Sequence, residues 1–66
     1  MSVAKVIEIT AQSPESFEDA IRQGIAKASK TVRNISGAWV KEQSVALENG
    51  EITGFRVDLK VTFLLD

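Results

Sequence analysis

A chain of 66 residues with eight Lys and Arg against nine Asp and Glu carries a formal charge of −1 and contains neither cysteine nor histidine. A domain this small buries only about 60% of the surface its unfolded chain exposes, so disulfides, a structural metal, unusually good packing or self-association must make up the difference. The missing cysteines remove the first, the missing histidines leave zinc without its preferred nitrogen and sulfur ligands, and self-association becomes the expected route. Near-balanced charge gives no field that would draw phosphate backbones or anionic lipid. No apolar run approaches the length of a membrane span, and the first residues lack the cationic start and apolar core of a signal peptide, so a cytoplasmic location is expected. With no linker, repeat or low-complexity stretch, residues 1–66 are read as one domain.

In chain order, Lys5 to Thr10 is rich in β-branched residues and predicts a first strand whose face assignment is ambiguous. Ser13-Pro14-Glu15 carries a helix-start signal: a hydroxyl for the N-cap, proline at the first helical position and an acid near the positive end of the dipole. Phe17, Ala20, Ile21, Gly24, Ile25, Ala28 and Val32 then recur at three- and four-residue steps as one apolar stripe, and the helix is expected to run to about Asn34. Ala38 to Leu47 reads as a second strand and Glu51 to Leu65 as a third, joined by Asn49-Gly50, the strongest short-range hairpin signal. In the last segment Phe55, Val57, Leu59, Val61, Phe63 and Leu65 fall on one face and Arg56, Asp58, Lys60 and Thr62 on the other. The fold class is α+β in the order β-α-β-β, a three-stranded antiparallel sheet with the last strand central and one helix on one face.

The other face is left open, and its composition bears on function. A two-residue turn that pairs Glu48 with Glu51 sets Trp39 opposite Lys60, Lys41 opposite Asp58 and Gln43 opposite Arg56. Gly37, Trp39, Lys41 and Gln43 then share the open face with Arg56, Asp58, Lys60 and Thr62. Glu42 and Ser44 fall on the core side, an awkward result that points to a bulge or to a strand end beyond the helix.

A lone tryptophan among charged and amide groups has two readings. One is packing between subunits, since Trp covers a large area and keeps one donor wet; the other is a platform for a flat heteroaromatic ligand, with Gln43 and Arg56 supplying in-plane hydrogen bonds. At a symmetry axis two copies of the face enclose a pocket and both readings hold. Lys41, Asp58 and Lys60 read first as an ordinary charge ladder. Glu8, Glu42, Glu48, Glu51, Asp58 or Asp66 offer oxygen to a hard cation shared between subunits, but no calcium-loop spacing is present and no metal site is assigned. Without His or Cys, and with no paired-carboxylate or Gly-rich phosphate motif, an enzyme is not expected.

The stretches KVIEITAQSPESFEDAIRQGIAKASKTVRN and VDLKVTFLLD resemble the first strand, helix and last strand of the dodecins, and the resemblance runs over nearly the whole chain. It implies a hollow homododecamer of cubic symmetry that binds, stores and quenches riboflavin or FMN in pockets between subunits, where paired flavins stack between tryptophans. Aligned through Asn34 and Ala38-Trp39-Val40, the family's flavin-stacking tryptophan falls at Gly37, and Trp39 lies two residues later on the same face, about 7 Å away. The family's pocket glutamine aligns with Arg56, across the hairpin from Gln43. The resemblance therefore implies a cofactor-binding set of Trp39, Gly37, Gln43 and Arg56, and as the alternative a shell without flavin that binds metal ions or another small molecule, or serves as a scaffold.

Overall fold

The computed structural model describes residues 2–65 and has the elements β1 (Ala4–Ser13), α1 (Phe17–Ala28), β2 (Ile35–Glu48) and β3 (Glu51–Leu64). They form one three-stranded sheet in the order β1-β3-β2, antiparallel throughout. β3 is central, as its one-sided apolar pattern requires. The core gathers there: Ala20, Val57, Leu59 and Val61 are buried, with Ile7, Ile9, Ala11, Phe17, Ile21, Ile25 and Ile35 packed around them. Phe17 closes the helix's first turn onto β3 by meeting Phe55 edge to face at 5.1 Å.

The helix is shorter at both ends than its sequence signals suggest. Ser13 does not cap it, because Ser13 is still in the ladder, opposite Phe55, and fully buried. Its hydroxyl instead accepts from the Glu15 N–H at 3.0 Å and donates to Asp19 Oδ2 at 2.6 Å. The N-cap is Ser16, whose Oγ accepts from the Asp19 N–H at 2.9 Å. At the other end the stripe continues in sequence to Val32, yet the helix stops at Ala28. Beyond it the Lys30 N–H donates to the Lys27 carbonyl and the Thr31 N–H to the Ala28 carbonyl, three residues back, the tightening that closes a last turn; Ser29 Oγ adds a bond to the Ile25 carbonyl. Asn34 then adopts φ 64, which turns the chain into β2.

The hairpin forms as read, with Glu48 opposite Glu51 and both turn residues in the left-handed region, Asn49 at φ 53 and Gly50 at φ 80. Its register departs from a uniform ladder at two internal points. Thr53 has no partner between Ala46↔Gly54 and Leu47↔Ile52, and Lys41 has none between Val40↔Leu59 and Glu42↔Asp58. One extra residue lies on β3 and the other on β2, so the slip opened by the first bulge is closed by the second. Trp39 therefore stands opposite Lys60 and Gly37 opposite Thr62, as a uniform ladder gives. Between the bulges the expected pairs are corrected: Asp58 faces Glu42 rather than Lys41, Arg56 faces Ser44 rather than Gln43, and Gln43 pairs with Val57. A third shift leaves Ser36 unpaired near the start of β2.

The helix approaches the sheet closely at Gly24, where a Cβ would stand 3.0 Å from the Ala11 Cβ and 3.6 Å from Ile9 and Leu59 side-chain carbons. No rotamer change moves the Ala11 Cβ away. Gly24→Leu is therefore expected to force helix and sheet apart, costing about 1–3 kcal/mol; a lowered midpoint of denaturant unfolding checks it, and an unchanged midpoint would show that the contact is dispensable.

Candidate functional site

The face opposite the helix is built from three strands in phase. β3 contributes Gly54, Arg56, Asp58, Lys60 and Thr62; their partners on β1 are Gln12 for Arg56, Thr10 for Asp58, Glu8 for Lys60 and Val6 for Thr62. β2 contributes Gly37, Trp39, Glu42, Ser44 and Ala46 through their pairing with Thr62, Lys60, Asp58, Arg56 and Gly54, since directly opposed residues share a face.

Cross-strand bonds order most of these side chains. Glu8 Oε1 lies 3.3 Å from Lys60 Nζ and 3.4 Å from Lys41 Nζ, so one carboxylate joins all three strands. Thr10 Oγ1 donates to Asp58 Oδ1 at 2.9 Å, and Arg56 donates through Nε and Nη2 to Gln12 Oε1 at 3.3 and 3.2 Å. Trp39, opposite Lys60, is 52% exposed and is the one large aromatic surface on this face. Beside it, a Cβ on Gly37 would meet no atom within 4 Å, which leaves open room next to the indole. Two surface depressions lie elsewhere, one between β1 and α1 beside Gly24 and Lys27, the other near Thr31 and Phe63; neither touches Trp39.

Of the four residues singled out in the sequence, Gly37, Trp39 and Arg56 lie on this face, and Gln43 does not. Its pairing with the buried Val57 turns it to the helix side, where it is exposed because α1 packs on β1 and β3 and does not reach that far. Ser44 takes the place on the open face that sequence reasoning gave to Gln43, and Glu42 joins Lys41 there, whose Nζ reaches Glu8. Gln12 and Gly54 were missed. The signal for Gln12 was the alternation of Glu8, Thr10 and Gln12 against Ile7, Ile9 and Ala11, hidden because the first strand was ended at Thr10 and Val6 beside Ile7 blurred its phase.

Metal chemistry finds little in a single chain. Among the described residues no group of three or more His, Cys, Asp or Glu could hold an ion; Asp66, one of the carboxylates considered, lies outside the described residues. Glu42 and Asp58 do stand directly opposite each other on the open face, a like-charged pair that is unfavourable without a neighbouring cation. Against a flavin the residues fit in part: Trp39 offers the platform, Gly37 the space and Arg56 the polar donors, whereas Gln43 is turned away. No helix among the described residues is long and apolar enough to cross a membrane.

The structure is thus a β-α-β-β subunit with one helix on one face of its sheet and a tryptophan and a polar ladder bare on the other. The family model described as Dodecin matches residues 3–66. Calcium dodecin of Mycobacterium tuberculosis is 42% identical over 64 residues, 96% of this chain and 89% of that protein. Among solved structures, dodecin from Streptomyces davaonensis superposes with a TM-score of 0.93 at 38% identity, covering 98% of this chain and 96% of its own. A mutant of Thermus thermophilus dodecin gives 0.94 at 32% identity over 100% and 98%. The crystal structure of calcium dodecin, described as having a novel calcium-binding site, gives 0.84 at 38% over 98% and 93%. The chain belongs to the dodecin family.

The hydrogen bond from Lys60 holds the Glu8 carboxyl below the ordinary glutamate range; loss of hydration opposes this, and the charge and hydrogen bond of Lys41 add to it. A depressed folded-state value stabilises the native form above the unfolded glutamate value, and that contribution is lost as pH falls through the folded one. Titration of the Glu8 carboxyl by NMR is expected to show a midpoint below that of unfolded glutamate, moving up in Lys60→Gln; a midpoint unaffected by that substitution would remove the bond's role.

Proposed function

We propose that this chain is the subunit of a homododecamer that binds flavin, as riboflavin or FMN, between the open sheet faces of neighbouring copies, storing and quenching it rather than using it in catalysis. The observation that carries this reading is Trp39: half exposed, on the one sheet face no element of the chain covers, beside the empty space at Gly37 and amid side chains already ordered by cross-strand bonds. A flavin, if bound, would supply a planar ring whose fluorescence contact with a stacked indole would quench. The chain's own residues supply the rest. Trp39 offers the stacking surface, Arg56 the in-plane donors, and Gly37 makes room for a second ring where a side chain would otherwise stand.

Free riboflavin is expected to lose its fluorescence on addition of micromolar protein, with light scattering reporting an assembly much larger than one chain. Trp39→Ala should weaken binding by about 1–3 kcal/mol, the usual worth of a ring stacked on an aromatic side chain. Undiminished riboflavin fluorescence in the presence of the assembled parent protein would end the flavin reading.

A second reading is favoured by Glu42 facing Asp58 on the open face and by the similarity to calcium dodecin. Here the ligand is calcium, held by carboxylate oxygens that meet from more than one copy, because a hard cation of this kind takes six to eight oxygens, roughly, and one open face offers too few. Calorimetric titration with calcium distinguishes it: heat that vanishes in Glu42→Gln or Asp58→Asn, with no response to riboflavin, supports this reading over the first.

A further inference from the structure

Gln12 lies outside the residues that the sequence assigned to the site, yet it has the most specific polar contact on the open face. Its Oε1 accepts from two N–H groups of the same guanidinium, Arg56 Nε at 3.3 Å and Nη2 at 3.2 Å, which fixes the plane of the fork as well as its position. No ion pair among the described residues involves Arg56, whereas Lys41 and Lys60 both lie on Glu8. Arg56 is thus a cation tethered by a neutral amide, its charge not cancelled by its anchor.

Gly54 makes this arrangement possible. A Cβ there would stand 2.8 Å from Gln12 Nε2, 3.5 Å from its Cδ and 3.6 Å from its Cγ, so the Gln12 side chain lies across the space that glycine leaves. Gly54 is buried and is not among the positive-φ glycines. Its backbone conformation is open to any residue, and a Cβ there would displace the tip of the Gln12 side chain.

We infer that Gln12 and Gly54 are positioning residues for Arg56, and that the guanidinium they hold is the polar contact of the ligand site. The inference rests on the flavin reading and narrows it. A guanidinium donates and cannot accept, and Gln12 engages two of its N–H groups and leaves the others. The ligand edge presented to Arg56 therefore consists of carbonyl or anionic oxygens. The guanidinium itself offers an edge of donors no acceptor; the acceptors of this face belong to Ser44, Glu42 and Asp58.

Riboflavin is the probe, titrated against the assembled protein with loss of its fluorescence as the readout. Gln12→Ala and Gly54→Ala are each expected to weaken binding about tenfold, the worth of one hydrogen bond to a charged group. Gln12→Glu restores an acceptor to Arg56 and is expected to recover most of that loss, which a merely structural role for the side chain does not explain. The Arg56 Nε–H resonance gives a second readout, slow to exchange in the parent and in Gln12→Glu and fast in the other two. Light scattering checks assembly, and if Gly54→Ala does not assemble, the exposed Gln12 position alone decides. Parent-like binding by Gln12→Ala overturns the inference and leaves the flavin reading standing; a parent protein that does not bind riboflavin overturns both.

Discussion

One helix has to cover a sheet larger than itself, and the rest of the structure follows from that mismatch. Twelve helical residues span about 18 Å, whereas the 14-residue strands β2 and β3 reach about 48 Å, and the longest extent of the molecule is 51 Å. The helix therefore lies over β1 and the middle of β3, where the buried residues are, and the hairpin extends beyond it. On the helix side of the overhang Val40 and Val45 are each 39% exposed, Leu47 62% and Ile52 54%. Apolar surface gathered in this way marks a place meant for cover from outside the chain. The chain has neither cysteine nor histidine with which to brace itself internally.

The open face meets the same shortage of cover differently. Its side chains are mostly polar, and instead of a packed layer they form a lattice of cross-strand bonds in which Glu8, Thr10 and Gln12 of β1 each hold a partner on β3. Exposed ion pairs contribute little to stability. Their effect here is order: Lys60 is held toward β1, on the side away from Trp39, and Arg56 is drawn the same way by Gln12. At the start of β2 the strip is then left to the indole and to the space at Gly37. A surface already ordered before it meets a ligand gives up less side-chain freedom on binding.

What the sequence made legible were the features set by strong periodicity. The alternation of β3 specified its central place and its buried face, the three- and four-residue stripe specified the helix, and Asn49-Gly50 specified the hairpin and its turn, so the family and the β-α-β-β order could be read from residues alone. The less legible features were settled by local competition for hydrogen bonds. Ser13 looked like a cap and is a strand end, since the Asp19 carboxylate gives its buried hydroxyl a better partner; Val32 continued the stripe, but after Ala28 the N–H groups of Lys30 and Thr31 bond three residues back instead of four, which tightens and ends the helix. At the site, Trp39, Gly37 and Arg56 were assigned to the correct face and Gln43 was not. A bulge shifts register without changing composition, and the only trace of this one in the sequence was the improbable burial it implied for Glu42 and Ser44.

Those two bulges also set where the hairpin can change its length. Each adds a residue to one strand of the hairpin, and between them every side chain of β2 sits one step away from where a uniform ladder would put it. Loss of Lys41 or of Thr53 would make the pairs on either side of it consecutive and leave every other pair, Trp39↔Lys60 included, as it is. Among natural or engineered versions of this chain, deletion of Lys41 or of Thr53, singly or together, should therefore keep Trp39 on its face, a freedom of length that no individual contact reveals.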